Sequence, residues 1–510
     1  CHNVQAGGTR VKARRAPAER TIRHMNKKNG NTFWSGPLTD SRIRSDSVKL
    51  PEMLLGYFIG PFGALLSSGI FTSFLNKYLT DVLRLDTGFL SVLQLASTLL
   101  IVAANLIVGQ LIERTKAAAG KARPWILLSA LTLSVSSVLM FIVPFEGAAK
   151  MVWIAIAYNL YYAVAYPIYN TANSTLVPVS TRNSQQRGAL ASFTNVAGLG
   201  VMGVGSMIFP VLVSNVMKED QNMWFLVMLG VAVFSALTIY LQFRFTRERV
   251  TEEGMGGPSG GEAGTASIGE QLKAVTSEKW WWLVVLFYLA FQCSGAMKNG
   301  SMSYFCQWVI GASGTIDWGL AQTILAVLGA IPMALAAAVV VPLANRFSKR
   351  LVTMAGMVVG VFGGVIAGLG NGQIIPVAVG VALKCLGSAP AAYLILAMLA
   401  DVIDHIEFKR GIRTDGLTMS IYSSVMVAAT PICNAIFMAM LGGAGYVAPD
   451  ADTAAGLTQT PAVQSTIGVS YIWIETAAYA VCAALMLLWT VEKNLPEEQK
   501  AIQARRERAR

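Results

Sequence analysis

Long apolar runs, separated by short charged segments, constrain this 510-residue chain more than any other feature of its sequence. Hydrophobic residues make up 54% of the positions and charged residues only 13%, whereas roughly a quarter of the residues in soluble proteins are charged. A membrane-spanning helix needs about 20 mostly apolar residues. We predict such helices over residues 51–75, 88–112, 124–144, 151–172, 188–213, 223–243, 281–309, 319–343, 350–370, 373–399, 417–441 and 468–490. The predicted fold class is therefore an all-α membrane protein with twelve transmembrane helices.

Basic residues predict how these helices are oriented. Most of the 40 Lys and Arg residues lie in segments that share one side of the membrane with the N-terminus. By the positive-inside rule, that side is the cytoplasm. We therefore expect a multi-pass protein of the cell (inner) membrane, embedded in the lipid bilayer, with both termini cytoplasmic. The net charge of +12 follows from this topology and does not indicate nucleic-acid binding.

The chain divides into two halves of six helices. A segment rich in Gly, Ser and Glu, Gly254–Gln271, is typical of a flexible linker. A basic loop also follows the second helix of each half. A six-plus-six repeat of this kind is typical of transporters that bind their substrate near the bilayer midplane. The predicted units are a basic N-terminal tail 1–50, a six-helix bundle 51–243, a cytoplasmic linker 244–280, a second bundle 281–490 and a cytoplasmic tail 491–510.

The first residues are expected to be foreign to the fold. Residues 1–24 are rich in Arg and lack the apolar core of a signal peptide. We predict that translation starts at Met25. The alternative is a disordered basic tail that touches anionic lipid.

Three polar segments resemble one transporter family. They are G-K-A-R-P-W at Gly120–Trp125, Leu176–Pro178 followed by Arg187, and A-D-V-I-D-H-I-E-F-K-R-G-I-R at Ala400–Arg413. These segments are similar to those of the glycoside–pentoside–hexuronide:cation symporters, the melibiose-permease-like group of the major facilitator superfamily. The resemblance implies two six-helix halves and a secondary carrier of a sugar or glycoside that works by alternating access. It also implies co-transport of Na⁺ or H⁺ and no other cofactor.

The sequence departs from this family where the cation and sugar are bound. The resemblance places acidic side chains on the first, second and fourth spans, a lysine on the eleventh and an arginine on the fifth. This chain has uncharged residues at the corresponding positions: Leu65, Ile101, Asn105, Asn170, Val427 and Asn195. The family's coupling site therefore does not carry over. The chain is either a uniporter or is coupled to a cation through another site.

The fourth span has an aromatic, polar face. At 100° per residue, five side chains fall on one side of this helix and Asn170 lies beside them. The five are Tyr158, Tyr162, Tyr166, Tyr169 and Asn173. Aromatic walls with a few placed polar groups are typical of ligand pockets, so we predict that this face binds the substrate. The alternative is an aromatic seam between helices, with its hydroxyl groups bonded to neighbours.

Charged residues inside apolar runs are the next candidates. Lys298 and Asn299 interrupt the seventh span, and a Lys near the centre of a membrane helix costs about 2.5–3.5 kcal/mol. Lys298 could bind substrate, including a carboxylate, or lose its proton during transport; otherwise it reaches the interface. Lys384 in the tenth span is a weaker candidate. Lys298 and Glu475 are the candidate coupling residues, although Glu475 could instead be a structural carboxylate paired with a neighbour.

Cytoplasmic charges form a candidate gate. Asp401, Asp404 and Glu407 recur every three residues, and Lys121, Arg123 and Arg413 supply the opposite charge. The resemblance implies that such clusters close the inner gate in the outward-open state and separate as it opens. The alternative is that these are solvated charges, since exposed pairs contribute only about 0–1 kcal/mol.

The remaining residues favour transport over other functions. The sequence shows no nucleophile–base set, metal-ligand cluster or phosphate-binding loop, so we predict neither an enzyme nor a metal site. Two alternatives remain open: a lipid or lysolipid carrier of the same superfamily, and a non-transporting membrane sensor. Nothing in the sequence indicates an oligomeric state.

Overall fold

The computed structural model describes most of the chain. The described residues are 34, 37–45, 47–115, 117–181, 183–250, 268–313, 316–370, 372–411, 414–449, 458–493 and 495–508. Residues 1–24, the subject of the prediction on the start of translation, lie outside them, as does most of the predicted flexible segment.

Twelve long helical segments, α1 to α12, follow one another along the described residues. They are α1 Glu52–Val82, α2 Thr87–Arg114, α3 Arg123–Leu139, α4 Gly147–Ser180, α5 Ser184–Gly203 continued by Val204–Met217, α6 Gln221–Arg244, α7 Lys279–Ile310, α8 Trp318–Phe347, α9 Lys349–Leu369, α10 Ile374–Arg410, α11 Asp415–Gly443 and α12 Pro461–Leu488. Ten of these are long and apolar enough to cross a membrane, and α3 and the second part of α5 are shorter apolar helices. The predicted all-α membrane fold is confirmed.

Two helices extend well beyond their apolar runs. The tenth was predicted to end at residue 399, yet α10 continues to Arg410 through the charged segment. The fourth was predicted over 151–172, yet α4 covers Gly147–Ser180. The boundaries predicted from hydropathy were wrong here because a helix continues past its apolar run when its polar side chains find partners. A linker helix, Ile268–Thr276, and a C-terminal helix, Leu495–Arg508, pack against the far end of α10.

The two halves meet along three helix pairs. Helix α1 packs against α7, α2 against α11, and α5 against α8. Within the first half, α6 packs against α1 and α3. Within the second, α9 packs against α10 and α12. Large apolar side chains such as Leu99 and Leu369 cover the outside of the bundle, as expected for surfaces that face lipid.

Glycines bring α9 and α10 close together. A Cβ atom added at Gly363 would lie 2.6 Å from the carbonyl oxygen of Gly380 on α10. Gly356 and Gly387 make a second approach of the same kind between these helices. Small residues let helix backbones pack closely in membranes, where apolar side chains gain little by leaving lipid.

We expect Gly363→Leu to destabilise the second half. The new side chain would separate α9 from α10, and overpacking of this kind typically costs about 1–3 kcal/mol. The midpoint of thermal unfolding in detergent measures the effect. Gly230→Leu on α6 is the matched control, because a Cβ atom at Gly230 would meet nothing within 4 Å. Equal midpoints for the two variants would contradict this account of the α9–α10 contact.

Candidate substrate passage and gates

Three charged side chains from three helices meet inside the second half. Lys298 on α7 lies with its Nζ 3.2 Å from Glu475 Oε1 on α12. Lys384 on α10 forms an ion pair with the other carboxylate oxygen. The hydroxyl of Tyr479, one turn along α12, donates to Glu475 Oε1 at 2.7 Å. The structure therefore brings the two candidate coupling residues together and adds Lys384 to them.

The three members of this cluster differ in exposure. The side chains of Glu475 and Lys384 are 1% and 2% exposed, whereas that of Lys298 is 21% exposed. Lys384 also donates to the backbone carbonyls of Ile472 at 3.4 Å and Tyr471 at 3.5 Å. Lys384 is thus fixed inside the protein, and Lys298 is the most exposed member of the cluster.

A polar face of α7 lies beside Lys298. Gln292, Gly295, Ala296 and Asn299 are partly exposed and follow the i, i+3, i+4, i+7 spacing of one helix face. Amide side chains in a membrane helix favour a water-filled cavity over lipid. Helix α7 is one of the helices along which the two halves meet, through its contact with α1.

The predicted tyrosine face of α4 divides into two parts. Tyr169 and Asn173 are buried and hold the same side chain of α6. The Tyr169 hydroxyl donates to Gln242 Oε1 at 2.9 Å, and Gln242 Nε2 donates to Asn173 Oδ1 at 2.8 Å. In this structure these two residues form a seam between helices, which was the alternative to substrate binding.

We expect Gln242→Leu to destabilise the first half. The change leaves the buried Tyr169 hydroxyl and the Asn173 amide without their partner, and each unsatisfied group typically costs about 1–3 kcal/mol. Thermal unfolding in detergent measures the loss. Gln292→Leu on the partly exposed face of α7 is the control and should cost less. An unfolding midpoint of Gln242→Leu at or above that of the control would contradict the seam.

The other part of the α4 face remains accessible. Tyr162, Tyr166 and Asn170 are partly exposed, while Tyr158 is buried with its ring centroid 4.6 Å from that of Tyr162. Tyr161, which the helical pattern did not select, is fully buried, and its hydroxyl lies 2.9 Å from Ser67 Oγ on α1. Phenol and amide groups therefore remain on one face of α4 for a polar ligand.

A buried charged network joins the halves at the end of the bundle that the basic residues predict to be outside. Lys77 Nζ lies 2.8 Å from Asp81 Oδ2, one turn further along α1. Lys77 also donates to Gln307 on α7 and lies 4.8 Å from the ring centroid of Trp318 on α8. The hydroxyl of Tyr446, beyond α11, donates to Asp81 Oδ1 at 2.7 Å. Each member of this first-half ion pair is thus bound by the second half.

Further contacts close the same end. Ser214 Oγ, in the second part of α5, lies 3.0 Å from Asp317 Oδ2 at the start of α8. Thr323 Oγ1 on α8 donates to the carbonyl of Met207 on α5 at 2.6 Å. Thr80 Oγ1 on α1 lies 2.7 Å from the Tyr304 hydroxyl on α7. We call the set Lys77, Thr80, Asp81, Tyr304, Gln307 and Tyr446 the outer network.

Sequence reasoning missed the outer network. The first span was predicted to end at residue 75, which placed Lys77 in a loop, whereas α1 runs to Val82. A Lys and an Asp four residues apart are a recognised helical ion pair. That spacing was the signal that could have revealed the pair, although its partners in the other half could not be deduced from it.

At the opposite end, the predicted gate residues of the first half bind within that half. The Glu248 carboxylate accepts from the backbone N–H groups of Lys121, Ala122 and Arg123 at 2.7–2.8 Å. A carboxylate at the start of α3 suits the positive end of the helix dipole. The Arg123 guanidinium donates to the Phe243 carbonyl at 3.0 Å.

Two of the acidic gate residues, Asp401 and Asp404, have partners in the second half. Lys349 Nζ, at the start of α9, donates to both Asp401 carboxylate oxygens at 2.6 and 2.7 Å. Gln499 of the C-terminal helix donates to Asp404 at 2.9 Å. Glu407 lies on the same end of α10, and Arg413 lies outside the described residues. Arg123, Asp401 and Asp404 therefore each have a partner within their own half.

Comparison with known proteins identifies the family. A model described as MFS/sugar transport protein matches residues 56–493. The chain belongs to this family. It is 28% identical to an isoprimeverose transporter of Lactiplantibacillus pentosus, covering 86% of this chain and 89% of that protein. It is 25% identical to the putative glycoside/cation symporter YagG of Escherichia coli, over 82% of this chain and 87% of that one.

Solved transporters share the fold of this family member. The nucleoside transporter NupG superposes with a TM-score of 0.58 at 10% identity, covering 87% of this chain and all of that one, 100%. A bacterial homologue of the human lysosomal transporter Spinster, inward-facing and unoccupied, gives 0.59 at 14% identity, over 89% and 99% of the two chains. The predictions of a major facilitator fold, of a secondary carbohydrate transporter and of a protein that is not an enzyme are confirmed.

Proposed function

We propose that this transporter carries a glycoside between its two halves by alternating access. The substrate would contact Tyr162, Tyr166 and Asn170 of α4 and Lys298 and Asn299 of α7. The observation that carries this proposal is that these polar side chains remain partly exposed, whereas other side chains of the same helices are buried or face lipid. Tyrosine rings pack on the C–H faces of a sugar, and the phenol and amide groups bind its hydroxyls.

The structure corresponds to an inward-open state in this proposal. The distribution of basic residues supports cytoplasmic termini in the cell inner membrane. The outer network then lies on the extracellular side and closes it. Opening to the outside would require Lys77 and Asp81 to lose their second-half partners.

The predicted gate at the inner end forms in the other state. In the outward-open state Lys121, Arg123 and Arg413 would pair with Asp401, Asp404 and Glu407. In the inward-open state Lys349 and Gln499 bind Asp401 and Asp404, and Glu248 binds the start of α3. An exchange between partners of similar strength keeps the two states close in free energy, which alternating access requires.

A proton is the cation that this site suits. YagG is described as a putative glycoside/cation symporter, and the symporter resemblance implies Na⁺ or H⁺. Hard cations such as Na⁺ are held by several oxygen ligands. The buried acids of the described membrane helices are each paired with a Lys or Arg: Glu52, Asp81, Asp401 and Glu475. Ammonium groups around Glu475 would repel Na⁺, whereas a lysine there can exchange a proton.

Uptake into proteoliposomes tests the function. We expect accumulation of at least one sugar among isoprimeverose, lactose and glycosides when the outside is made acidic, and no response to a Na⁺ gradient. Accumulation driven by Na⁺ would overturn the choice of cation and leave the carrier function intact. Equilibration without accumulation would make the protein a uniporter. No uptake of any sugar would overturn the carrier function.

A further inference from the structure

We propose that Lys298, held beside Glu475 and Lys384, binds an acidic group of the substrate, so that this transporter prefers glycosides bearing a carboxylate or sulfonate. This inference rests on the proposed function and narrows its substrate class. The site is formed by α7, α10 and α12, all within the second half. It is separate from the tyrosine face of α4, which would bind the neutral hydroxyls.

The first argument is the charge of the cluster. Two ammonium groups share one carboxylate, so one positive charge is in excess when all three groups are ionised. The other groups that interact with the cluster are the Tyr479 hydroxyl, the Cys385 thiol and the carbonyls of Tyr471 and Ile472, and none of them is a carboxylate. An excess charge in a membrane protein is costly. An anion at Lys298 would remove that excess.

The second argument is that only one lysine can reach such an anion. Lys384 is 2% exposed, while Lys298, whose Nζ lies 3.2 Å from Glu475, is 21% exposed. In the proposed carrier, Lys298 can therefore donate a hydrogen bond to a ligand between the halves, and Lys384 would continue to neutralise Glu475. A lysine ammonium has three donors, which is enough to contact Glu475 and a ligand together.

The third argument is the polar surface around Lys298. Asn299, the next residue along α7, is also partly exposed. Its amide group could donate to a hydroxyl of the same ligand. The site thus offers one charge-assisted contact and a neutral donor near it, which suits a sugar acid better than a neutral sugar.

The same cluster couples binding of the acidic substrate to protonation of the lysines. Binding of an anion favours the state in which both lysines are protonated. By thermodynamic reciprocity, protonation then favours binding of the anion by the same factor. One proton moving with one monoanion would make transport electroneutral, so a membrane potential imposed alone would not drive uptake.

Matched pairs of substrates test this inference. Phenyl β-glucuronide and phenyl β-glucoside differ only at C6, as do the corresponding galacturonide and galactoside. We expect wild-type proteoliposomes to take up the acid of a pair at lower concentrations than the neutral member. Lys298→Met should raise the concentration of the acid needed for half-maximal uptake about 10- to 100-fold. That change corresponds to the loss of one hydrogen bond between charged groups. The neutral member should lose much less, so that the preference for the acid disappears.

One further variant guards against a folding defect. Lys298→Met leaves Glu475 paired with Lys384, so the fold should persist, and Lys298→Arg should keep the preference for the acid. Equal or better uptake of the neutral member by wild type would overturn this inference while leaving the carrier function in place. An unchanged acid preference in Lys298→Met would overturn it as well. If no member of either pair moves, while another sugar does, acidic glycosides are not substrates and the inference also fails.

Discussion

The variant Glu475→Gln is expected to be strongly destabilised and inactive. Glutamine keeps the shape of the side chain and removes its charge, so Lys384 and Lys298 would be left without a counter-ion. Loss of one partner of a buried ion pair typically costs about 3–5 kcal/mol, and here two cations share the partner. The midpoint of thermal unfolding in detergent and uptake into proteoliposomes measure the two effects.

A second variant tests whether the unpaired lysines, and not the altered side chain itself, cause the loss of stability. Glu475→Gln combined with Lys384→Met removes the buried ammonium as well and leaves Lys298, which is partly exposed and can reach water. We expect this double variant to regain more than half of the lost stability. Lys384→Met alone leaves the pair of Lys298 with Glu475 and should cost less than Glu475→Gln. A double variant no more stable than Glu475→Gln would show that the charges are not coupled.

The membrane fold could be predicted because apolar run length determines where helices cross a bilayer. Charged residues ended the predicted runs too early at α1 and α10. Lys77 and Asp81 pair with each other inside α1, and Lys349 pairs with Asp401 on α10. A hydropathy scale assigns one value to each residue. It therefore cannot account for a partner that lowers the free-energy cost of burying a charge.

The candidate site was only partly predictable, for a related reason. Helical periodicity predicts the tyrosines of α4 on one side, but it could not separate Tyr169 from Tyr166. That separation depends on Gln242, a residue of α6. In contrast, the cost of a charge in a membrane predicts that Lys298 and Glu475 each need a partner. The pairing of these two residues with each other could not be deduced from the sequence, because it depends on how α7 packs against α12.

The variant Asp81→Asn is expected to open the outer end of the transporter. It weakens the contact to Tyr446 of the other half and leaves the buried Lys77 without its counter-ion. A hydrogen bond to a charged group contributes about 1.5–3 kcal/mol, and about 1.4 kcal/mol changes an equilibrium tenfold. We therefore expect the outward-open population to rise at least about tenfold. Cys306, fully buried on α7 beside Gln307, should then react faster with a membrane-impermeant maleimide added outside.

Matched variants make this result specific to the contact between the halves. Asp86→Asn removes an acid at the same end whose side chain accepts from Phe89 N–H within α2, so it should leave the labelling rate unchanged. Tyr446→Phe removes one hydrogen bond between the halves and should raise the rate by less than Asp81→Asn does. Cys306→Ala identifies the labelled residue. If Asp81→Asn reacts no faster than Asp86→Asn, the outer network does not hold this end closed, since its removal would then leave the balance between the two states unchanged.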